Sequence, residues 1–296
     1  MLSSSFIRFP VCRFPVGTDK QRWRDWRKQT IGLLRCSTAS TLSSFFGHSY
    51  TSFHNALLEL KTEKRPDIFT AKAMSHGEKT EDEAKNAYLW VDTEVTVLCS
   101  GEESTVHGFL RPGHAEEFPV FIMTTPDMIV KRGKHKEIVE FKCPYFEIFT
   151  KKLRKERTIE RIVLDFYQKH PMGVESSFLQ ASIYALCEPE VTIINVVYYF
   201  TDGTDNAGMI IYTYDTSQIY EFDEMIISAA ARVSHEMQSD DRPRTKTQDK
   251  RKLTQSMCNA FYIHSIYHKD ENNEWVRLKE ESTDGSEEEG PEIPGE

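Results

Sequence analysis

The apolar residues of this chain change their spacing several times, and each change marks an element. In residues 20–34, Trp23, Trp26, Ile31 and Leu34 recur at helical steps within a basic stretch, predicting a helix with those four turned to the core. The run "CSTAS" at residues 36–40 supplies helix-capping residue types ahead of "TLSSFFG". Residues 53–60 read as helical, and Pro66 ends that pattern. A long helix is predicted over residues 70–91, where Met74, Gly77, Glu81, Ala84 and Tyr88 fall three or four apart and share one face. Three strands follow, over residues 94–100, 118–130 and 136–145, with "KRGK" at 131–134 as the hairpin turn between the last two. Residues 147–170 read as a basic helix. Residues 175–188 predict a core helix carrying Phe178, Leu179, Ile183 and Leu186. Residues 191–215 predict two strands around a Gly/Asp-rich turn, and residues 219–237 an amphipathic helix. Residues 254–278 suggest a small helix or strand with no assigned place, and no internal repeat is present.

Charged residues break this pattern at four points. Glu81 sits in the inward stripe of its helix, and Asp127, Glu140 and Lys142 lie among apolar residues of predicted strands. A charge removed from water is costly unless it is paired. Glu140 and Lys142 are two apart, so they share one face of their strand, and the hairpin brings Asp127 across to the same end of the sheet. On an exposed strand Glu-x-Lys would be a surface ion pair of little worth. The apolar neighbours Ile138, Val139 and Phe141 favour the alternative, a site. Phosphodiester hydrolysis uses divalent ions on carboxylate oxygens, since Mg²⁺ prefers hard oxygen ligands and keeps several waters. Two such ions can clamp the attacking and leaving oxygens.

Composition refines the picture. The 296 residues are 39% hydrophobic and 11% aromatic, enough for a real core, and no apolar run reaches the length of a membrane span. The net charge of −9 argues against a polyanionic partner until its distribution is read. Residues 280–296 hold eight carboxylates and neither Lys nor Arg, so a predicted disordered tail accounts for eight of the nine net negative charges. The rest carries basic clusters at 20–28, 151–157 and 242–252. Six cysteines without a CxxC pair argue against a zinc site and for reduced thiols in an intracellular compartment. Residues 1–17, with Arg8, Arg13, several serines and no acid, fit either a disordered N-terminus or an organelle transit peptide, which leaves nucleus and mitochondrion both open.

Four motifs together resemble a known family. "GEKTEDEAKNAY" places Gly77, Glu81, Ala84 and Tyr88; "TPD" ends at Asp127; "VEFKCPY" carries Glu140 and Lys142; "FLQASIY" carries Gln180 on a helix. In order and approximate spacing they resemble the YqaJ-like viral recombinase family of the PD-(D/E)XK nuclease superfamily, which includes the lambda-type 5′→3′ exonuclease. The resemblance implies an α/β fold with a restriction-endonuclease-like core, a central mixed β-sheet flanked by helices. It divides the chain into a nuclease domain at 20–237, a polar basic extension at 238–279 and the acidic tail, after residues 1–19.

The same resemblance implies a Mg²⁺-dependent deoxyribonuclease holding two ions, with Mn²⁺ able to substitute, acting 5′→3′ at ends of double-stranded DNA. Glu81, Asp127, Glu140 and the backbone carbonyl of Phe141 would bind metal. Lys142 would be the catalytic lysine, and Gln180 would position the lysine, water or substrate. The family's phosphate-binding arginine and "TAS" segment map to Thr38, Ala39 and Ser40. The arginine stays ambiguous between Arg27, eleven residues before Thr38, and Arg35, three before it. Thr125 stands where the family has serine and keeps a hydroxyl. DNA is the implied partner, with a homo-oligomeric ring and a single-strand annealing protein as family associations. The open phosphate pocket keeps an endonuclease or RNA-degrading relative in play, and a catalytically inactive nucleic-acid-binding module is the reading from another class.

Overall fold

The computed structural model describes residues 7–15, 20–34, 36–39, 42, 68–101, 103–110, 119–145, 158–188, 190–201, 206–216, 220–236 and 260–282. In chain order the elements are β1 (Ile7–Pro15), α1 (Lys20–Leu34), β2 (Ser37–Thr38), α2 (Ile68–Val91), β3 (Val95–Cys99), β4 (Glu103–Leu110), β5 (Val120–Thr124), β6 (Met128–Arg132) and β7 (His135–Lys142). There follow α3 (Ile159–Lys169), α4 (Glu175–Cys187), β8 (Val191–Thr201), β9 (Ala207–Asp215), α5 (Tyr220–Glu236), β10 (Phe261–Lys269) and β11 (Trp275–Ser282).

The larger sheet has the order β11-β10-β9-β8-β7-β6-β3. Only β7 and β8 pair in parallel within it, with Lys142 opposite Tyr198. A parallel pair needs a long crossover, which α3 and α4 supply. Side chains alternate across this sheet. Ile138, Val196 and Tyr198 enter one core with Val163 of α3, Phe178 and Leu179 of α4, and Ile226 and Ala230 of α5. Val139, Phe141, Val197 and Tyr199 enter the other with Ala84 and Tyr88 of α2. Both faces are covered, so β8 is buried continuously from Ile194 to Thr201. The fold is the mixed α/β arrangement that the motifs implied.

The smaller sheet has the order β1-β4-β5-β2, with β2 parallel to β5. Phe109 and Ile122 tie it to the first core. Ser37 Oγ donates to the Ala230 carbonyl at 3.4 Å, and Arg8 Nη1 to the Leu186 carbonyl at 2.5 Å, binding this sheet to α5 and the end of α4.

Several expectations are corrected. The strand expected over 118–130 is two strands in different sheets: Pro126 lacks an N–H and interrupts the ladder, leaving Asp127 in the gap. Residues 7–15, expected to belong to a disordered or transit segment, form β1, an edge strand with Pro10 at a register shift, where a proline is tolerated. Strand β4 adds an element that the apolar pattern did not predict. Ser37 and Thr38 form a strand on β5 rather than a helix cap. Met74 is 56% exposed, so the inward stripe of α2 begins only at Gly77. The extension after residue 237 contributes β10 and β11 to the larger sheet, and β11 reaches Ser282, into the stretch expected as tail. Helix α3 starts at Ile159, capped by the Thr158 hydroxyl, which accepts from the Arg161 N–H at 3.4 Å. The predicted helix at 53–60, the basic runs 151–157 and 242–252, and residues 283–296 lie outside the described residues.

Gly208 on β9 lets α3 sit close. A Cβ there would meet Val163 Cγ2 at 2.5 Å and Ile159 Cγ2 at 2.9 Å. Both neighbours are β-branched and stiff. Gly208→Ala is therefore expected to cost about 1–3 kcal/mol by overpacking, read as a fall in thermal midpoint. Val163→Ala in the same chain should recover part of it.

Candidate active site

Strand β7 has the 2.0-residue period that sends Glu140 and Lys142 to one face, toward α4. Glu140 is 1% exposed. Lys142 Nζ donates to Glu140 Oε1 at 2.6 Å and to Gln180 Oε1 at 3.0 Å. Gln180 then donates through Nε2 to the Tyr184 hydroxyl at 2.8 Å, one turn further along α4. A continuous chain of donors and acceptors runs from α4 to the end of β7, and it leaves the lysine few other positions.

Asp127 reaches the same place from the gap between β5 and β6. Its Oδ2 accepts the Phe141 backbone N–H at 2.8 Å. Burial, then the neighbouring Glu140, pushes its pKa well above the usual aspartate range, Glu81 adds to the rise, and Lys142 opposes it. Burial would lower the Lys142 pKa, but Glu140 and Asp127 outweigh it, so the ammonium is held above its ordinary value. The second Glu140 oxygen, Oε2, is buried with no hydrogen-bond partner among the described residues.

Glu81 faces this group but does not complete it. Its Oε1 pairs with Lys85 Nζ at 2.6 Å, one turn along α2, and it remains 38% exposed. Among the described residues, no three His, Cys, Asp or Glu side chains stand close enough to hold a metal together. The expected convergence of three carboxylates is thus two, the buried Glu140 and the half-buried Asp127, with the third paired to Lys85. The donor set fits a hard divalent cation. Two neighbouring carboxylates raise each other's cost of ionisation, and a buried, unpartnered carboxylate oxygen is expensive; a cation between them relieves both. Asp127 and Glu140 would hold it, with Glu81 joining on leaving Lys85.

The phosphate-binding expectations divide. Arg27 on α1 lies over the Trp23 ring, 5.4 Å from its centroid, and its pKa is lowered by burial and raised by Tyr184 and Cys36. Arg27 is thus within electrostatic reach of Tyr184, a member of the Tyr184–Gln180–Lys142 chain. Trp23 Nε1 donates to Ser104 Oγ at 2.7 Å, and Ser104 shares a hydrogen bond with the Thr125 hydroxyl at 2.6 Å, which anchors α1 over the smaller sheet. Thr38 is buried on β2, 3% exposed. Arg35 and Ser40 lie outside the described residues.

Sequence reasoning missed Tyr184, Ser104 and Lys85. Two of them carried a signal: Gln180/Tyr184 and Glu81/Lys85 are both spaced by four, the separation at which helical side chains meet. A family model described as the YqaJ-like viral recombinase domain matches residues 22–173, just over half of the 296 residues. None of the curated proteins compared with the chain matches it.

Proposed function

This chain belongs to the YqaJ-like viral recombinase family of the PD-(D/E)XK nuclease superfamily, and we propose that it is a Mg²⁺-dependent deoxyribonuclease that shortens double-stranded DNA from its ends, 5′→3′. The observation that carries this reading is the trio at one end of β7, the buried Glu140 with the half-buried Asp127 and Lys142. Asp127 is locked to the Phe141 N–H, Glu140 keeps one oxygen unpartnered, and Lys142 is charged and aimed between Glu140 and Gln180. Asp127 and Glu140 would hold the divalent cation, which when bound would supply Lewis-acid stabilisation of charge on the reacting phosphate. Lys142, fixed as an ammonium, donates hydrogen bonds to a water or to a phosphate oxygen and offsets charge on the reacting phosphate. Gln180 holds that ammonium in position, and Tyr184 holds Gln180.

Arg27 favours an end-directed enzyme over an endonuclease. A half-buried guanidinium within electrostatic reach of Tyr184 suits the terminal phosphate of a strand, since charge-assisted bonds to phosphate are among the strongest a protein makes. Arg27→Ala is expected to cut the rate ratio of 5′-phosphorylated to 5′-hydroxyl duplex by about tenfold, the loss of roughly 1.5 kcal/mol from one charged hydrogen bond. An unchanged ratio removes Arg27 from the pocket.

The deciding assay is end-labelled linear duplex with and without Mg²⁺, read at both ends, beside closed circular DNA and RNA. Nucleotides released from the 5′ end of linear duplex alone are expected. Cleavage of closed circles would make the enzyme an endonuclease. Binding without hydrolysis of any polynucleotide in Mg²⁺ or Mn²⁺ would make it a binding module. Intracellular action, a ring-shaped oligomer and an annealing partner are parts of the same proposal, to be read by localisation, solution mass and co-purification.

A further inference from the structure

A second feature shares α2 with the site. Helix positions advance by about 100° each, so Glu83, Asn86, Ala87 and Trp90 form one flank of α2 and Glu81 looks out from the other. That flank walls a cavity of about 350 Å³, closed by Tyr199 of β8, Lys269 of β10 and Trp275 of β11. Three aromatic side chains line it. Trp90 is 63% exposed. The Tyr199 and Trp275 rings lie 6.4 Å apart, and Lys269 Nζ sits 5.8 Å from the Trp275 ring centroid. Along the strands the cavity is level with the catalytic group, on the opposite face of the sheet: Tyr199 follows Tyr198, the residue paired with Lys142. The Tyr199 hydroxyl is pushed up to about 12 by burial, then by Glu83 and Cys143.

We propose that this cavity is a base-binding subsite, which takes one unstacked nucleobase of the nucleic acid whose backbone is cut on the other side of α2. The inference rests on the nuclease reading above. Its chemistry is distinct from that of a phosphate site. The volume is of single-ligand size. The exposed Trp90 indole can stack a base of any sequence. Glu83 would repel a phosphate but accept from the exocyclic amino group of cytosine or adenine, as acidic side chains do at cytosine N4. Asn86 offers an amide donor and acceptor beside it. Thymine has no amino group, so the subsite should prefer cytosine to thymine.

The test uses the full chain in EDTA, so that nothing is cut, with fluorescently labelled (dC)8 and (dT)8 and anisotropy as the readout. Wild type should bind (dC)8 several-fold tighter than (dT)8. Trp90→Ala should weaken (dC)8 about tenfold, within the range for one lost base–aromatic stack, and Trp90→Phe should keep most of the affinity. Glu83→Gln should erase the cytosine preference. If wild type degrades DNA but Trp90→Ala binds (dC)8 with the wild-type Kd, the subsite is wrong and the nuclease reading stands. If wild type neither binds these oligonucleotides nor cleaves DNA or RNA, both fall. Equal affinity of wild type for (dC)8 and (dT)8 overturns the role given to Glu83.

Discussion

Lys142→Ala is expected to slow hydrolysis of end-labelled duplex by about 10²–10⁴-fold, the range for losing one positioned catalytic group, with affinity for duplex in EDTA changed by no more than a few-fold. The reason lies in the two bonds of Nζ. In the resting chain the ammonium is held charged by Glu140 and Asp127, so it acts as a donor and counter-charge rather than as a base. Its pKa is raised, so the rate should not fall as pH rises through 7–9 on account of this group. The same substitution strips Glu140 Oε1 of its partner, and breaking a buried pair is destabilising by about 3–5 kcal/mol. Thermal melts must accompany the rates, and Gln180→Ala gives the milder control, since it frees the ammonium without removing it. Turnover that is unchanged in a folded Lys142→Ala chain would end the mechanism.

The second large effect is on stability. Asp127 has a raised pKa in the metal-free chain, chiefly through burial and next through Glu140. A carboxyl raised on folding binds more protons in the folded state than in the unfolded one over the window between its two pKa values. Stability therefore falls as pH rises from the ordinary aspartate value of about 3.9 through the raised value, and the cost is complete above it. Two changes should cancel that cost at pH 7–8. Mg²⁺ at 100 times its Kd should stabilise by about 2.7 kcal/mol, a shift of about 5–10 °C at roughly 2–4 °C per kcal/mol in a domain of this size. Asp127→Asn, which keeps an oxygen for the Phe141 N–H, should raise the metal-free midpoint at neutral pH and lose the response to Mg²⁺. A wild-type midpoint that is the same from EDTA to 10 mM Mg²⁺ would show that the two carboxylates do not hold the ion. This readout needs no turnover.

The helices were the most legible part of the chain. Residues 20–34, 175–188 and 219–237 match α1, α4 and α5 within a residue or two; α1 and α5 show the 3.6-residue spacing that burial on one face imposes, while α4, buried nearly all round, shows as a run of apolar and small residues. The strands β1, β4 and β10 were illegible for a common reason. Their composition is mixed, even where a partner is near in the chain, as β5 is for β4 and β11 for β10: Pro10 and Arg13 in β1, Ser104, His107 and Gly108 in β4, His264 and Ser265 in β10. A strand of that kind is made by its neighbours rather than by its own preference.

At the site, the sequence by itself determined which groups could meet on β7. The two-residue step puts Glu140 and Lys142 on one face, and a two-residue turn at Gly133 and Lys134, with Gly133 at φ 57°, returns the chain so that Met128 lies opposite Val139 and Asp127 reaches the Phe141 amide. Those are short-range constraints of backbone geometry. Tertiary packing alone decided the rest. It brought Arg27 and Tyr184, more than 150 residues apart, within electrostatic reach of each other, and left Glu140 Oε2 without a hydrogen-bond partner among the described residues. No local spacing encodes such choices, because each depends on which of several reachable partners gives the lower total of desolvation and Coulomb energy once the helices are docked.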